Sequence, residues 1–189
     1  TGLSDLCRRT RLPRRLVENL ILAGALSDWG RDKRALLWEL GRLHYREDEL
    51  PFPLAPDGVR LEPMTYAEDL MSEYGVTGVA AEGHLMELFR EELCHANVCT
   101  SAELERVGAG RRVRTAGMVA VRQAPPTAKG FAFFTLEDEW GLINVIVRPD
   151  IFQAQRETYV RAGVLMVQGT VQRAHGQINV MAEQSWRLR

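Results

Sequence analysis

The stretch from Val113 to Glu183 constrains this chain most. Its turn residues cut it into five short β-like runs, with one polar, helix-capable insert between the third and the fourth. Val113–Arg122 is the first run, and a loop with Pro125, Pro126, Lys129 and Gly130 leads to the second, Phe131–Asp138. Trp140 and Gly141 make a tight turn into Leu142–Arg148, so the second and third runs form a hairpin. Pro149–Arg161 spaces Phe152, Tyr159 and Val160 along one helical face. Val164–Val171 and Gln177–Gln184 complete the set, joined by a turn, Gln172–Gly176, that contains His175.

Three strands, a helix and two strands is the order of the oligonucleotide-binding (OB) barrel. Its binding face lies on strands two and three, flanked by the loops between strands one and two and between four and five. The predicted fold is therefore α+β, an N-terminal helical region followed by a five-stranded OB-fold β-barrel. Strand alternation then assigns faces. With Ala132, Phe134 and Leu136 inward, Phe133, Thr135 and Glu137 point out; with Ile143, Val145 and Val147 inward, Asn144, Ile146 and Arg148 point out. A base stacks on an aromatic ring for about 1–3 kcal/mol, an amide can bond a base edge, and Arg or Lys can meet phosphate. Phe133, Thr135, Asn144 and Arg148 are thus candidate nucleic-acid contacts. Arg122, Gln123 and Lys129 in the first loop, and Arg173, His175 and Gln177 around the last, border them. The competing reading of Phe133 buries it beneath the preceding helices.

The net charge of −1 conceals an asymmetry that bears on the partner. From Arg111 onward there are 11 basic and 6 acidic residues, whereas residues 1–110 hold 13 basic and 19 acidic ones. An anionic partner is drawn to the barrel, or the basic excess is simply a solvated face. No apolar run approaches the roughly 20 residues that cross a bilayer, so no membrane partner is expected. The N-terminus has neither an apolar signal core nor a Met, and Thr1 reads as the cut end of a longer chain. Cys7, Cys94 and Cys99 follow no disulfide framework, which fits a reducing, cytoplasmic location.

Upstream of the barrel the sequence divides into a helical region, 1–50, and connecting segments, 51–107, with the barrel domain at 108–189. After a basic cluster (Arg8, Arg9, Arg11, Arg14, Arg15), a helix runs Pro13–Leu26 with Leu16, Val17, Leu20 and Ile21 on one face and Gly24 as terminator. Asp28 and Asp32 can cap a second, Lys33–Arg46, striped by Leu36, Leu37, Leu40 and Leu43. Such a pair could hold a DNA phosphate, with Arg14 and Arg15 as secondary contacts, or be plain packing helices. Glu47–Pro63, rich in proline, reads as an irregular connector. Thr65 and Glu68 form a capping box for a helix ended by Gly75, another helix spans about His84–Leu93, and Ser101 caps a single turn.

Catalytic signatures are not apparent. A polymerase or nuclease centre needs carboxylates converging on metal ions, and the densest acidic run, Glu137, Asp138 and Glu139, sits at a strand end where alternation splays it. His84, Cys94, His95 and Cys99 match no common zinc spacing. There is no nucleophile elbow and no phosphate-binding glycine loop. No cofactor is expected in this stretch.

These residues resemble a known family. The string RQAPPTAKGFAFFTLEDEWGLINVIVRPDIF, from Arg122 to Phe152, is similar to the OB domain of bacterial C-family DNA polymerases, the family of the polymerase III α subunit, and most to its error-prone, damage-induced branch. DLCRRTRLPRRLVENLILAGALSDWGRDKRALLWELG resembles the end of the tandem helix-hairpin-helix region of those proteins, and AEDLMSEYGVTGVAAEGHLMELFREEL resembles their link. The pattern departs at Leu85, where Pro is usual, and at Arg148, where Trp is usual. The resemblance implies a DNA polymerase for translesion synthesis and repair whose palm domain, with its Mg²⁺-binding aspartates, lies upstream of Thr1. This part would hold single-stranded template and primer-template DNA for that palm. Alternatively it docks mutasome accessory proteins, through which the sliding clamp is reached indirectly. No Gln-led clamp-binding pentapeptide is present; Glu87, Leu88, Phe89 and Arg90 bear only a superficial likeness to one.

Overall fold

The computed structural model describes residues 2–45, 58–174 and 176–188. They fall into two compact units, one ending at Gly83 and the other beginning at His84. Among them no helix is long and apolar enough to cross a membrane.

In the first unit, α1 (Leu3–Thr10), α2 (Arg14–Leu22) and α3 (Lys33–Arg42) surround one core of Leu3, Cys7, Val17, Ile21, Leu36, Leu40 and Leu43. The opening segment, expected only as a basic cluster, is thus a helix. Its two buried residues, Leu3 and Cys7, are four apart and fall on one stripe, while its arginines stay outside. Asp32 caps α3 by accepting from the Arg34 amide at 2.8 Å, whereas Asp28 lies inside a 3₁₀ turn, Ser27–Trp29. In α4 (Tyr66–Thr77) the capping box of Thr65 and Glu68 is formed. That helix ends at Gly78, whose φ of 76° supplies the left-handed cap; Gly75 sits inside it. Lys33, buried between α3 and α4, bonds Asp69 at 2.7 Å and Glu73 at 2.8 Å. Most of the expected connector Glu47–Pro63, and Arg46 at the expected end of α3, lie outside the described residues.

The second unit begins with a 3₁₀ turn (Leu85–Phe89) continuing into α5 (Arg90–His95), then α6 (Ser101–Leu104). Thr100, not Ser101, caps α6 in a box with Glu103. The barrel follows: β1 (Arg112–Gln123), β2 (Ala132–Asp138), β3 (Gly141–Val147), α7 (Pro149–Ala154), α8 (Arg156–Arg161), β4 (Val164–Ala174) and β5 (Gln177–Arg187). The strands close in the order β1-β2-β3-β5-β4, with β3 and β5 parallel and the other pairs antiparallel. The expected single helix breaks in two at Gln155, whose side chain accepts from the amide and hydroxyl of Ser185 on β5. β4 and β5 outrun the expected strands, so Gln172 and Arg173 belong to β4 and not to a turn.

β1 serves two neighbours. Its first half pairs with β4 and its second with β2, and Met118 has a partner on each, Val164 and Glu137. At the crossing, a Cβ on Gly117 would lie 2.7 Å from the Glu137 carbonyl oxygen. Gly169 faces the same demand, because a Cβ there would collide with the Met181 carbonyl. It lies at the irregularity where Gln168 pairs with Gln184 and Gly169 with Ala182, leaving Glu183 as the extra residue of a bulge. Inside, Phe134, Phe152 and Tyr159 form an aromatic cluster, with ring centroids 5.0 Å apart for Phe134–Tyr159 and 5.9 Å for Phe152–Tyr159. Leu136, Ile143, Val145, Val147, Leu165 and Val180 fill the rest.

Gly169→Ala is expected to destabilise the barrel by about 2 kcal/mol or more, because the clash is with backbone and cannot be relieved by a rotamer change. Urea unfolding followed by tryptophan fluorescence checks it; an unchanged midpoint contradicts the close-approach explanation.

Candidate nucleic-acid interface

β2 and β3 run in unbroken register, pairing Phe133 with Ile146, Thr135 with Asn144 and Glu137 with Leu142. Ala132, Phe134, Leu136, Ile143, Val145 and Val147 are buried, and the alternate residues face outward. Phe133 keeps 36% of its surface exposed, so its ring is not covered. The neighbouring strands extend both outward rows. One runs Gln123, Phe133, Ile146, Met181 and Thr170; the other runs Val121, Thr135, Asn144, Asn179 and Gln172. Asn179, Met181 and Gln172 were not among the residues expected from sequence. The signal lay in β5, where Ile178, Val180 and Ala182 turn inward and leave Asn179 and Met181 outward beside β3. Among the described residues, the side chains of Gln123, Lys129, Thr135, Asn144, Gln172, Gln177 and Asn179 have no hydrogen-bond or ion-pair partner.

The expected cations divide into two kinds. Arg122 donates through Nε to the Tyr159 carbonyl at 3.3 Å and through Nη2 to the Ala162 carbonyl, tying β1 to the end of α8. Arg173 donates through Nε and Nη2 to the Val107 carbonyl at 3.1 and 3.0 Å, and through Nη2 to Glu105. These two arginines fasten the barrel to neighbouring backbone. Lys129, by contrast, is exposed in the β1–β2 loop at a φ of 50°, next to Gly130. Arg148 is half exposed and lies 3.7 Å from the Asp150 carboxylate. In the first unit, Arg14 donates to the Leu43 carbonyl at 2.9 Å and Arg15 is exposed. His175 lies outside the described residues. On the bulge, Glu183 accepts from the Thr170 hydroxyl at 2.8 Å and pairs with Arg112 at 2.7 Å. That hydrogen bond, with the charges of Arg112 and Arg148, outweighs desolvation and holds the Glu183 carboxyl below the usual range.

The acidic run has work inside the fold. Asp138 is buried and accepts from the Ser101 amide and hydroxyl and from the Trp140 and Gly141 amides, so it builds the β2–β3 turn and anchors α6. Glu139 receives both Nε and Nη2 of Arg90, which also lies 4.9 Å from the Trp140 ring centroid. Glu137 points outward. Among the described residues, no three His, Cys, Asp or Glu side chains gather where they could hold a metal ion.

Comparison with known proteins agrees with this geometry. Residues 113–186 match a family described as an OB-fold nucleic acid binding domain, of the tRNA anti-codon type. The error-prone DNA polymerase of Bdellovibrio bacteriovorus is 32% identical over 201 aligned positions, which cover 96% of this chain and 19% of that protein. The error-prone DNA polymerase of Methylococcus capsulatus is 38% identical over 187, covering 96% of this chain and 17% of the relative. The chain thus spans less than a fifth of the length of these relatives. Among solved structures, the asparaginyl-tRNA synthetase of Pyrococcus horikoshii aligns with a TM-score of 0.37 and 23% identity, covering 43% of this chain and 20% of that one, and nothing further rests on it.

Arg173→Ala should cost about 1–2 kcal/mol of stability in urea unfolding, because carbonyl acceptors lose charged donors. Arg148→Ala should change stability by no more than about 0.5 kcal/mol. Equal effects would contradict the division of the arginines into those that fasten the backbone and those that stay exposed.

Proposed function

From homology, over nearly its whole length, to a segment of the error-prone DNA polymerases, we propose that this chain is the DNA-holding part of such an enzyme. The barrel takes single-stranded template near the primer-template junction, and the helical unit, through Arg15, meets duplex phosphate as a remnant of a helix-hairpin-helix region. The carrying observation is the outer face of β2 and β3. There an exposed Phe133 ring stands beside Thr135 and Asn144, whose polar groups are unpartnered among the described residues, within the stretch that matches a nucleic acid binding domain. A base stacks on the ring, the amide meets a base edge, and Lys129 and Arg148 meet phosphate. Gln123 and Gln177 border the face from its two ends. Nucleotide addition to a primer, and the Mg²⁺ it uses, belong to a palm domain outside this segment.

A second reading has its own observation. Trp140 and Leu142, at the tip of the β2–β3 hairpin, are 56% and 63% exposed, and paired exposed apolar side chains favour a protein partner. In that reading the hairpin tip docks accessory subunits of the polymerase, which in turn reach a sliding clamp.

Titration of labelled single-stranded and duplex DNA at two salt concentrations separates these readings. Under the first, single strands bind and log affinity falls by about 0.7 per phosphate contact per log unit of salt. Phe133→Ala then lowers affinity by about fivefold or more without changing the unfolding midpoint. Lys129→Glu lowers the salt slope by about 0.7 or more, one phosphate contact being lost. Full affinity in a folded Phe133→Ala variant refutes the stacking assignment. Absence of a DNA complex at low salt, together with capture of accessory subunits that Trp140→Ala abolishes, would favour the docking reading.

A further inference from the structure

The second outward row holds chemistry that stacking and phosphate contact leave unused. Asn144 on β3 and Asn179 on β5 are direct partners across the parallel pair, with Thr135 on one side and Gln172 on the other. Both asparagines are half-buried, and no polar atom of either is sealed from solvent without a partner. Among the described residues neither amide is hydrogen-bonded. The barrel therefore holds two carboxamides side by side on neighbouring strands, with no task inside the fold. Phe133 stands two residues along β2 from Thr135, about 7 Å away, so a base lying on its ring extends toward this row.

We infer that Asn144 and Asn179 read the edge of a base stacked beside them, and that the barrel prefers single strands containing adenine. The inference rests on the barrel face binding single-stranded DNA. A carboxamide presents an NH2 donor and a C=O acceptor side by side in one plane. Adenine offers a matching donor and acceptor on two edges, its N6 amino group with N1 and the same group with N7. Thymine and cytosine present such a pair on one edge only, and the N7 edge of guanine presents acceptors alone. Adenine can thus be bonded in either orientation on the ring.

Fluorescence anisotropy on the whole 189-residue chain tests this. Three strands of about twelve nucleotides are compared, a length within the range one OB fold occupies. The first is all deoxythymidine; the second carries one central deoxyadenosine; the third carries purine deoxyriboside there, which lacks the N6 amino group. The adenine strand should bind about fivefold tighter than the thymidine strand, and the purine strand should lose that gain. Asn179→Leu should abolish the gain while keeping affinity for the thymidine strand within about twofold and the salt slope unchanged, whereas Asn144→Leu should abolish the gain and weaken the thymidine strand as well. Equal binding of all three strands by the unaltered protein, or a purine strand as tight as the adenine one, overturns the inference. The barrel-face reading survives either result provided Phe133→Ala still weakens binding. No binding to any strand overturns both. The purine comparison needs no variant, so a variant that misfolds does not remove the test.

Discussion

The barrel depends on β1 pairing with β4 through its first half and with β2 through its second, the two pairings overlapping at Met118. Next to that overlap a side chain is forbidden, because the backbone of Glu137 occupies the space that a Cβ on Gly117 would need. Closure on the other side meets the same restriction at Gly169, where β5 crosses close over β4 and Glu183 is squeezed out as a bulge. With both corners made, the edges of the sheet pair with each other and alternation becomes a strict division between inside and outside.

What fills the interior decides what is left for the exterior. Phe134, Phe152 and Tyr159 pack together, so the insert between β3 and β4 serves as a plug for the barrel and not as a surface element. Burial pushes the Tyr159 hydroxyl up from its ordinary range. Phe133, one residue before Phe134, is thereby committed to the opposite side. The two adjacent phenylalanines thus have opposite destinations.

Much of this was legible in the sequence. The order of strands and insert, and the inward and outward sets on β2 and β3, follow from periodicity alone, because one face of each strand is apolar throughout. The opening helix was hidden because its apolar stripe is only Leu3 and Cys7 amid arginines. The partners of Arg122 and Arg173 could not be anticipated: a guanidinium in a loop reads as a free cation until the carbonyls it meets are known. Asn179 and Gln172 were overlooked for another reason. Their rows become visible only once the parallel register of β3 and β5 is fixed, and nothing local in the sequence sets that register.

Asp138 joins two things that are far apart in sequence. One carboxylate holds both the β2–β3 turn and the start of α6, whose Ser101 lies 37 positions earlier. The segment just ahead of the barrel is therefore coupled to the hairpin tip at two side chains, Asp138 through Ser101 and Glu139 through Arg90.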